Sequence, residues 1–292
     1  MAKRKTPALS QLELPIPRHR APDRNADKGG RSFYFFDFDD NVMLLDTCIY
    51  IFAKAGGNQI ALSTRRFAEV HRHVGRAGIY ADYEIRLDDA TGSYRRFRDL
   101  PAAELDGQAQ PFVEDLQAAL AKGDLLWKGP SWDFFYHAVF NGRPIAIITA
   151  RGHHPDTMQA GIDLLVGARH LTATPNYLGV YPVSHAGTRL ALGDRDGRRS
   201  IPELKKAAIL DSVRRAMASF GDNPHHRFGM SDDDPVNVAL AVEAMTELKA
   251  RYPENAFFVI NTSTHPVEKT EILANRTTVE PIPAASQLHL FD

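Results

Sequence analysis

A chain of 292 residues that is 43% apolar and 24% charged, with a formal charge of -1, has the composition of a folded globular protein, which excludes wholesale disorder and any general attraction to polyanions. No apolar run approaches the roughly 18 residues of a membrane-spanning helix, and the polar start Met1-Ala2-Lys3-Arg4-Lys5 lacks the apolar block of a signal peptide, so a cytoplasmic location without membrane contact is expected. The single cysteine, Cys48, excludes an internal disulfide and a thiolate metal cage.

The charge is unevenly spread. Residues 1–31 carry eight basic side chains against three acidic ones, a surplus of +5 that leaves -6 on the other 261 residues. Rich in proline and glycine, with one short apolar patch at 12–16, this segment reads as a disordered basic arm, a solvated leader with at most a weak nucleic-acid contact. A buried strand follows at 32–36, an apolar and aromatic run that stops at Asp37-Phe38-Asp39-Asp40-Asn41. Residues 47–62 predict two strands around Gly56-Gly57-Asn58, a hairpin flap beside the first strand on which Cys48 is a packed small side chain. From 63 to about 127 comes a mixed insertion: a helix near 64–74, strand pieces near 82–97, and a helix over 111–122 stopped by Gly123.

The period then changes to alternating helices and buried strands. Ser131 caps an aromatic helix at 132–140, whose Trp132, Phe134, Phe135, Tyr136 and Phe140 read as core. A strand at 144–148, a helix at 157–166, a strand at 177–183, a helix at 202–218, a strand at 227–230, a helix at 236–251 and a strand at 256–260 follow. Strands alternating with helices of this length predict an α/β, Rossmann-like parallel sheet covered on both faces, with ligands at the carboxyl ends of the strands.

Those ends carry the chemistry. Asp37 and Asp39 stand at i and i+2 beyond the first strand, where two carboxylates converge on one ion or one phosphorus centre. Thr149-Ala150-Arg151-Gly152 offers a hydroxyl, backbone amides and a guanidinium suited to a phosphate, followed by His153 and His154 in what reads as a solvated loop. Asp232, Asp233 and Asp234 end a third strand, with Asp40 and Asp234 assigned to turn or cap duty.

This set resembles the haloacid dehalogenase-like hydrolase superfamily, whose motifs are a strand ending in D-x-D, a strand ending in threonine or serine, a lysine near the start of a later helix, and a strand ending in an acidic pair. Here they fall in the family's order at 33–42, 145–149, Lys205 or Lys206, and 228–233, covering residues 32 to about 262. The resemblance implies a Mg2+-dependent phosphohydrolase with a small cap inserted between the first and second motifs. Asp37 would be the nucleophile of an aspartyl-phosphate mechanism and Asp39 the general acid and base. The metal would be held by Asp37, Asp232, Asp233 and the backbone carbonyl of Asp39, and a phosphoryl oxygen by Thr149 with Ala150 and Arg151 beside it. Asn41 stands where the family more often has threonine or valine.

The helical repeat is used to choose the lysine. With Ile209, Leu210, Val213 and Met217 as the apolar face, Lys206 lies within about 20° of its centre and Lys205 about 80° away, which selects Lys206.

The chain divides into the arm at 1–31, the hydrolase domain at 32–274 with its flap and cap at about 47–127, and an extended tail at 275–292. The tail ends in Gln287-Leu288-His289-Leu290-Phe291, which resembles the Q-L-x-L-F peptide that docks on the bacterial DNA polymerase sliding clamp. Gln287, Leu288, Leu290 and Phe291 would make that contact, and Ser10-Gln11-Leu12-Glu13-Leu14-Pro15 is a weaker copy lacking the phenylalanine. A clamp-tethered phosphohydrolase acting on a nucleotide or a nucleic-acid end is the resulting expectation. A non-catalytic clamp adaptor and a small-metabolite phosphatase with no clamp binding are the alternatives.

Overall fold

In the computed structural model, which describes residues 19–88, 90–123, 126–274 and 276–282, the apolar run after the arm forms β1 (Ser32–Phe36). All five of its residues are buried, as a strand covered on both faces requires. The hairpin pairs β2 (Cys48–Ala53) antiparallel with β3 (Gln59–Ser63), and its turn places Gly56 and Gly57 at φ of 85° and 70°, where a Cβ would be strained. Ser63 caps α1 (Thr64–Val70) by accepting from the Arg66 N–H. Of the strand pieces expected near 82–97, only β4 (Tyr83–Glu84) is present among the described residues, added to β2. Side chains have taken over the backbone donors that a ladder would use: Arg86 N–H donates to Ser93 Oγ and Thr91 N–H to Asp88 Oδ1.

After α2 (Ala102–Leu105) and α3 (Pro111–Leu120), the alternating half begins with α4 (Trp132–Phe140), in which Trp132, Phe134 and Phe135 are buried. It continues through β5 (Pro144–Thr149), α5 (Pro155–Gly167), β6 (Asn176–Pro182) and a short α6 (Ala186–Ala191). Then come α7 (Ile201–Phe220), started by a capping box of Ser200 and Glu203, β7 (Arg227–Asp232), α8 (Pro235–Arg251) and β8 (Ala256–Asn261). Two strands not expected from the sequence, β9 (Glu268–Ile272) and β10 (Thr277–Pro281), complete the sheet.

The main sheet runs β10-β9-β8-β7-β1-β5-β6, parallel from β6 to β8 and antiparallel at β9 and β10. Its residues alternate between two cores: Tyr34, Phe36, Ile145 and Ile147 face Phe112, Phe135 and Ile162, while Phe33, Phe35, Ile148 and Phe228 face Ile209, Val213 and Met245. This is the α/β, mostly parallel, helix-covered architecture that the alternation predicts. Among the described residues no helix is long and apolar enough to cross a membrane.

Two boundaries move. β10 and the buried Ile282 belong to the sheet, so residues 277–282 are not part of an extended tail. Residues 19–31 are tied to the foot of the sheet, because polar groups expected in a disordered arm find partners there. Asp23 pairs with Arg143 at 2.7 Å and accepts from Ser32 N–H, and Ala21 N–H donates to Asn141. Residues 1–18 and the partner-binding set Gln287, Leu288, Leu290 and Phe291 lie outside the described residues.

Candidate functional site

Because β7, β1 and β5 are neighbours in register, their carboxyl ends bring Asp232, Asp37 and Thr149 to one edge of the sheet. Carboxylate oxygens of Asp37, Asp232 and Asp233 lie within 4.8 Å of one another, and Asp37 and Asp232 are buried. Burial raises the Asp37 carboxyl well above its ordinary range, and the charges of Asp232, Asp233 and Asp39 add to the rise against the pull of Lys205. Burial, with Asp232 beside it, pushes Asp233 up to about 7. Three converging carboxylates, two of them out of water, form a hard-oxygen donor set that demands positive charge and matches the ligand preference of Mg2+.

One positive charge is built in, and it is Lys205. Its Nζ lies 3.0 Å from Asp37 Oδ1 and 3.0 Å from Asp232 Oδ2, and Lys205 is only 4% exposed. Burial alone would lower this ammonium's pKa, but the two carboxylates outweigh it and hold the pKa above its ordinary value. Lys206, the residue selected by the helical repeat, is instead partly exposed and faces Glu243 at 3.7 Å and Glu247 at 3.6 Å on α8. The correction has a geometric cause. The buried stripe of α7 includes the small residues Ala208, Ser212 and Ala216 with Ile209, and Lys205, which precedes Ala208, Ile209, Ser212 and Ala216 by three, four, seven and eleven positions, sits at its centre. Leu210 and Met217, counted toward the face in the sequence, are only partly buried at its margin.

Asn41 holds the register of this edge. Fully buried, its Nδ2 donates to the carbonyls of Asp37 (3.1 Å) and Ser231 (3.0 Å), and its Oδ1 accepts from Thr262 Oγ1 at 2.7 Å. One amide thus ties the ends of β1 and β7 to the loop after β8, and Ser231 is in turn bonded to Ser131. A threonine or valine could not make all of these bonds.

Asp39 goes elsewhere. Its carboxylate is not part of the three-aspartate cluster; it accepts from Thr149 Oγ1 at 2.9 Å and from Arg151 Nε and Nη2 at 2.9 and 2.6 Å. Arg151 is fully buried, with Nη2 also donating to Thr47 Oγ1 at 2.6 Å and its guanidinium between the rings of Phe97 and Phe112 at 4.9 and 4.8 Å. Its Nη1 has no hydrogen-bond partner among the described residues. The insertion is stitched to the same turn: Gly152 N–H donates to Phe97 O, and Thr47 Oγ1 donates to Asp115, which also takes Arg96. Thr47, Phe97 and Asp115 carried no sequence signal, since the contacts that bring them to Arg151 and to each other span more than fifty positions. Ala150 is exposed at the rim, its carbonyl accepting from Ser184 Oγ.

His153, expected in a solvated loop, is fully buried against Phe112, and neither ring nitrogen has a hydrogen-bond partner among the described residues. Burial, reinforced by the charges of Arg151, Arg96 and Arg98, drives its pKa down to about 2, so the ring is neutral. Asp40 takes a left-handed turn at φ 57°, and Asp234 caps α8 by accepting from Val236 N–H at 2.7 Å, in keeping with turn and cap duty.

The site therefore offers a buried carboxylate beside a fixed ammonium, an acidic cluster suited to a hard cation, and a second carboxylate held by a hydroxyl and an arginine. Compared with known protein families, curated proteins and solved structures, the chain matches none.

Proposed function

We propose that the protein is a Mg2+-dependent phosphohydrolase of the haloacid dehalogenase-like type acting through an aspartyl-phosphate. The observation that carries this reading is Asp37: a buried carboxylate at a strand end, 3.0 Å from Lys205, with Asp232 and Asp233 within 4.8 Å and Thr149 on the adjoining strand. Asp37, Asp232 and Asp233 would hold the metal, which, when bound, supplies charge stabilisation to the transferring phosphoryl group.

The chain's own residues supply the rest. An Asp37 oxygen forms the bond to phosphorus as the bond to the leaving oxygen breaks, and Asp39 gives that oxygen its proton. Asp39 then takes a proton from the water that cleaves the acyl-phosphate, restoring both carboxyl groups. Lys205 favours the ionised form of the Asp37 carboxylate and aims it, and Asn41 fixes the backbone that carries it. The Asp39 carboxylate accepts from Thr149 and Arg151. A phosphoryl oxygen is the natural competitor for these donors, and taking them frees Asp39 for proton transfer. The insertion at about 47–127, which packs on Arg151 through Thr47, Phe97 and Phe112, serves as the cap.

The same reading tethers the enzyme, in the cytoplasm, to the replication sliding clamp through Gln287, Leu288, Leu290 and Phe291, with a nucleotide or nucleic-acid phosphate as substrate. It is supported by the peptide's sequence and by the position of β10, which precedes it in the chain. β10 is the sheet edge four strands from β1 and so lies roughly 19 Å from the catalytic strand. Asp37→Asn should abolish Mg2+-dependent release of phosphate from an aryl phosphate with the fold intact, and Asp39→Asn should slow it by roughly 10²- to 10⁴-fold. Unchanged turnover by Asp37→Asn refutes the reading.

A further inference from the structure

The edge strand β6 pairs, among the described residues, with β5 alone. Alongside it runs a groove of ≈ 610 Å³, with Tyr177, Gly179 and Tyr181 of the strand as its floor, Gln159 of α5 as one wall and Thr188 and Ala191 of α6 as the other. The buried hydroxyl of Tyr177 has no partner among the described residues. A bare strand edge between two helical layers has the shape of a slot for one more strand, and such edges are ordinarily covered.

The chain itself leads to this slot. At the foot of the sheet Ala21 N–H donates to Asn141, Arg143 donates to Ala21 O at 3.0 Å, and Arg20 lies over Gly142. The Gly142 carbonyl accepts from Asn176, the first residue of β6. Residues 20 and 21 therefore stand beside the starts of β5 and β6. The slot lies two interstrand spacings from β5, roughly 10 Å, a distance that three to four extended residues cover. Continuing backward along the chain, residues 12–16 would then lie beside β6 and run antiparallel to it.

Their sequence fits an edge strand of that polarity. Leu12, Leu14 and Ile16 alternate with Glu13, Pro15 and Pro17. In an extended chain the three apolar side chains fall on one face, and alternate residues turn both backbone groups to the same side. When the backbone groups of Leu12, Leu14 and Ile16 address β6, those of both prolines, which have no N–H to give, face away from it. An edge strand with that side turned outward is a place where prolines are tolerated.

We propose that residues 12–16 dock in this groove as an eighth strand, antiparallel to β6, so that the arm closes the sheet of its own chain. The occupant is intramolecular because its anchor at residues 20–21 sits next to the slot, and the docking is independent of the phosphatase chemistry.

The test is hydrogen exchange of the β6 amides at 177–181 in the full chain, compared with a Leu12→Asp/Leu14→Asp variant and with Glu13→Lys, a change on the strand's polar face, as the control. Amides not bonded to β5 should exchange at least tenfold faster in the double variant, remain unchanged in Glu13→Lys, and show the same wild-type protection at every protein concentration. Equal exchange in wild type and double variant overturns the proposal. Protection that grows with protein concentration also overturns it, because the occupant is then the arm of a second copy.

Discussion

Lys205→Met removes the ammonium that lies 3.0 Å from both Asp37 and Asp232 and leaves three carboxylates within 4.8 Å of one another. Breaking a buried ion pair by deleting one partner costs about 3–5 kcal/mol. The lower end applies here, because Asp37, whose pKa burial already raises, escapes the uncompensated charge by taking a proton. That escape fixes the pH dependence. A carboxyl with a folded pKa above its unfolded value binds more protons when folded, so it weakens the protein as pH rises above the unfolded value and through the folded one. Without divalent cation, urea unfolding should therefore place Lys205→Met about 3 kcal/mol below wild type near pH 8, with the gap narrowing toward pH 5. Lys206→Met, which loses only contacts of 3.7 and 3.6 Å to exposed glutamates, should cost less than about 1 kcal/mol. A larger loss for Lys206→Met, or a Lys205 gap that widens toward acid pH, refutes the assignment.

Asp232→Ala removes a proposed Mg2+ ligand and should move the Mg2+ midpoint of activity to much higher concentration, whereas Asp234→Ala should leave that midpoint in place and cost about 1 kcal/mol as a lost helix cap, read by titration and melting of both variants. The depressed pKa of His153, about 2 when folded against 6.5 as a free side chain, means that protons favour the unfolded chain below pH 6.5. Wild type should accordingly lose about 2 kcal/mol between pH 7.5 and pH 5 that His153→Leu does not, and parallel stability curves would show the ring to be solvated. Deleting residues 287–292 should eliminate micromolar capture by purified sliding clamp while leaving aryl phosphate hydrolysis and the melting temperature unchanged; a melting point several degrees lower, with no clamp binding by wild type, makes the tail a clip on its own body.

β1 and the alternating half of the chain, apart from the short α6, were legible from local pattern: a buried run at 32–36 that stops at acidic residues, strands alternating with helices beyond 132, an aspartate cap at 234. β9 and β10 were not legible, because Glu268–Ile272 and Thr277–Pro281 are polar segments that become strands only through a partner already in place. At the site, the strand-end residues Asp37, Thr149 and Asp232 followed from local sequence. Lys205 did not, since the buried face of its helix is marked in part by Ala208, Ser212 and Ala216, small residues that a count of large apolar side chains passes over. Asn41 looked chemically idle because its partners, Ser231 and Thr262, lie 190 and 221 residues away. Arg151 was read as a phosphate contact, and its hold on Asp39 needed the third dimension.

The central claim is that Asp37 carries the phosphoryl group. Mixing the enzyme with an aryl phosphate and Mg2+, quenching in acid within the first turnover and mapping the digest by mass spectrometry should find the phosphoryl group on the peptide containing Asp37. Asp39→Asn, which is slowed in releasing it, should accumulate more of this adduct, and Asp37→Asn none. Turnover with no adduct on that peptide, or an adduct that persists in Asp37→Asn, would contradict the account.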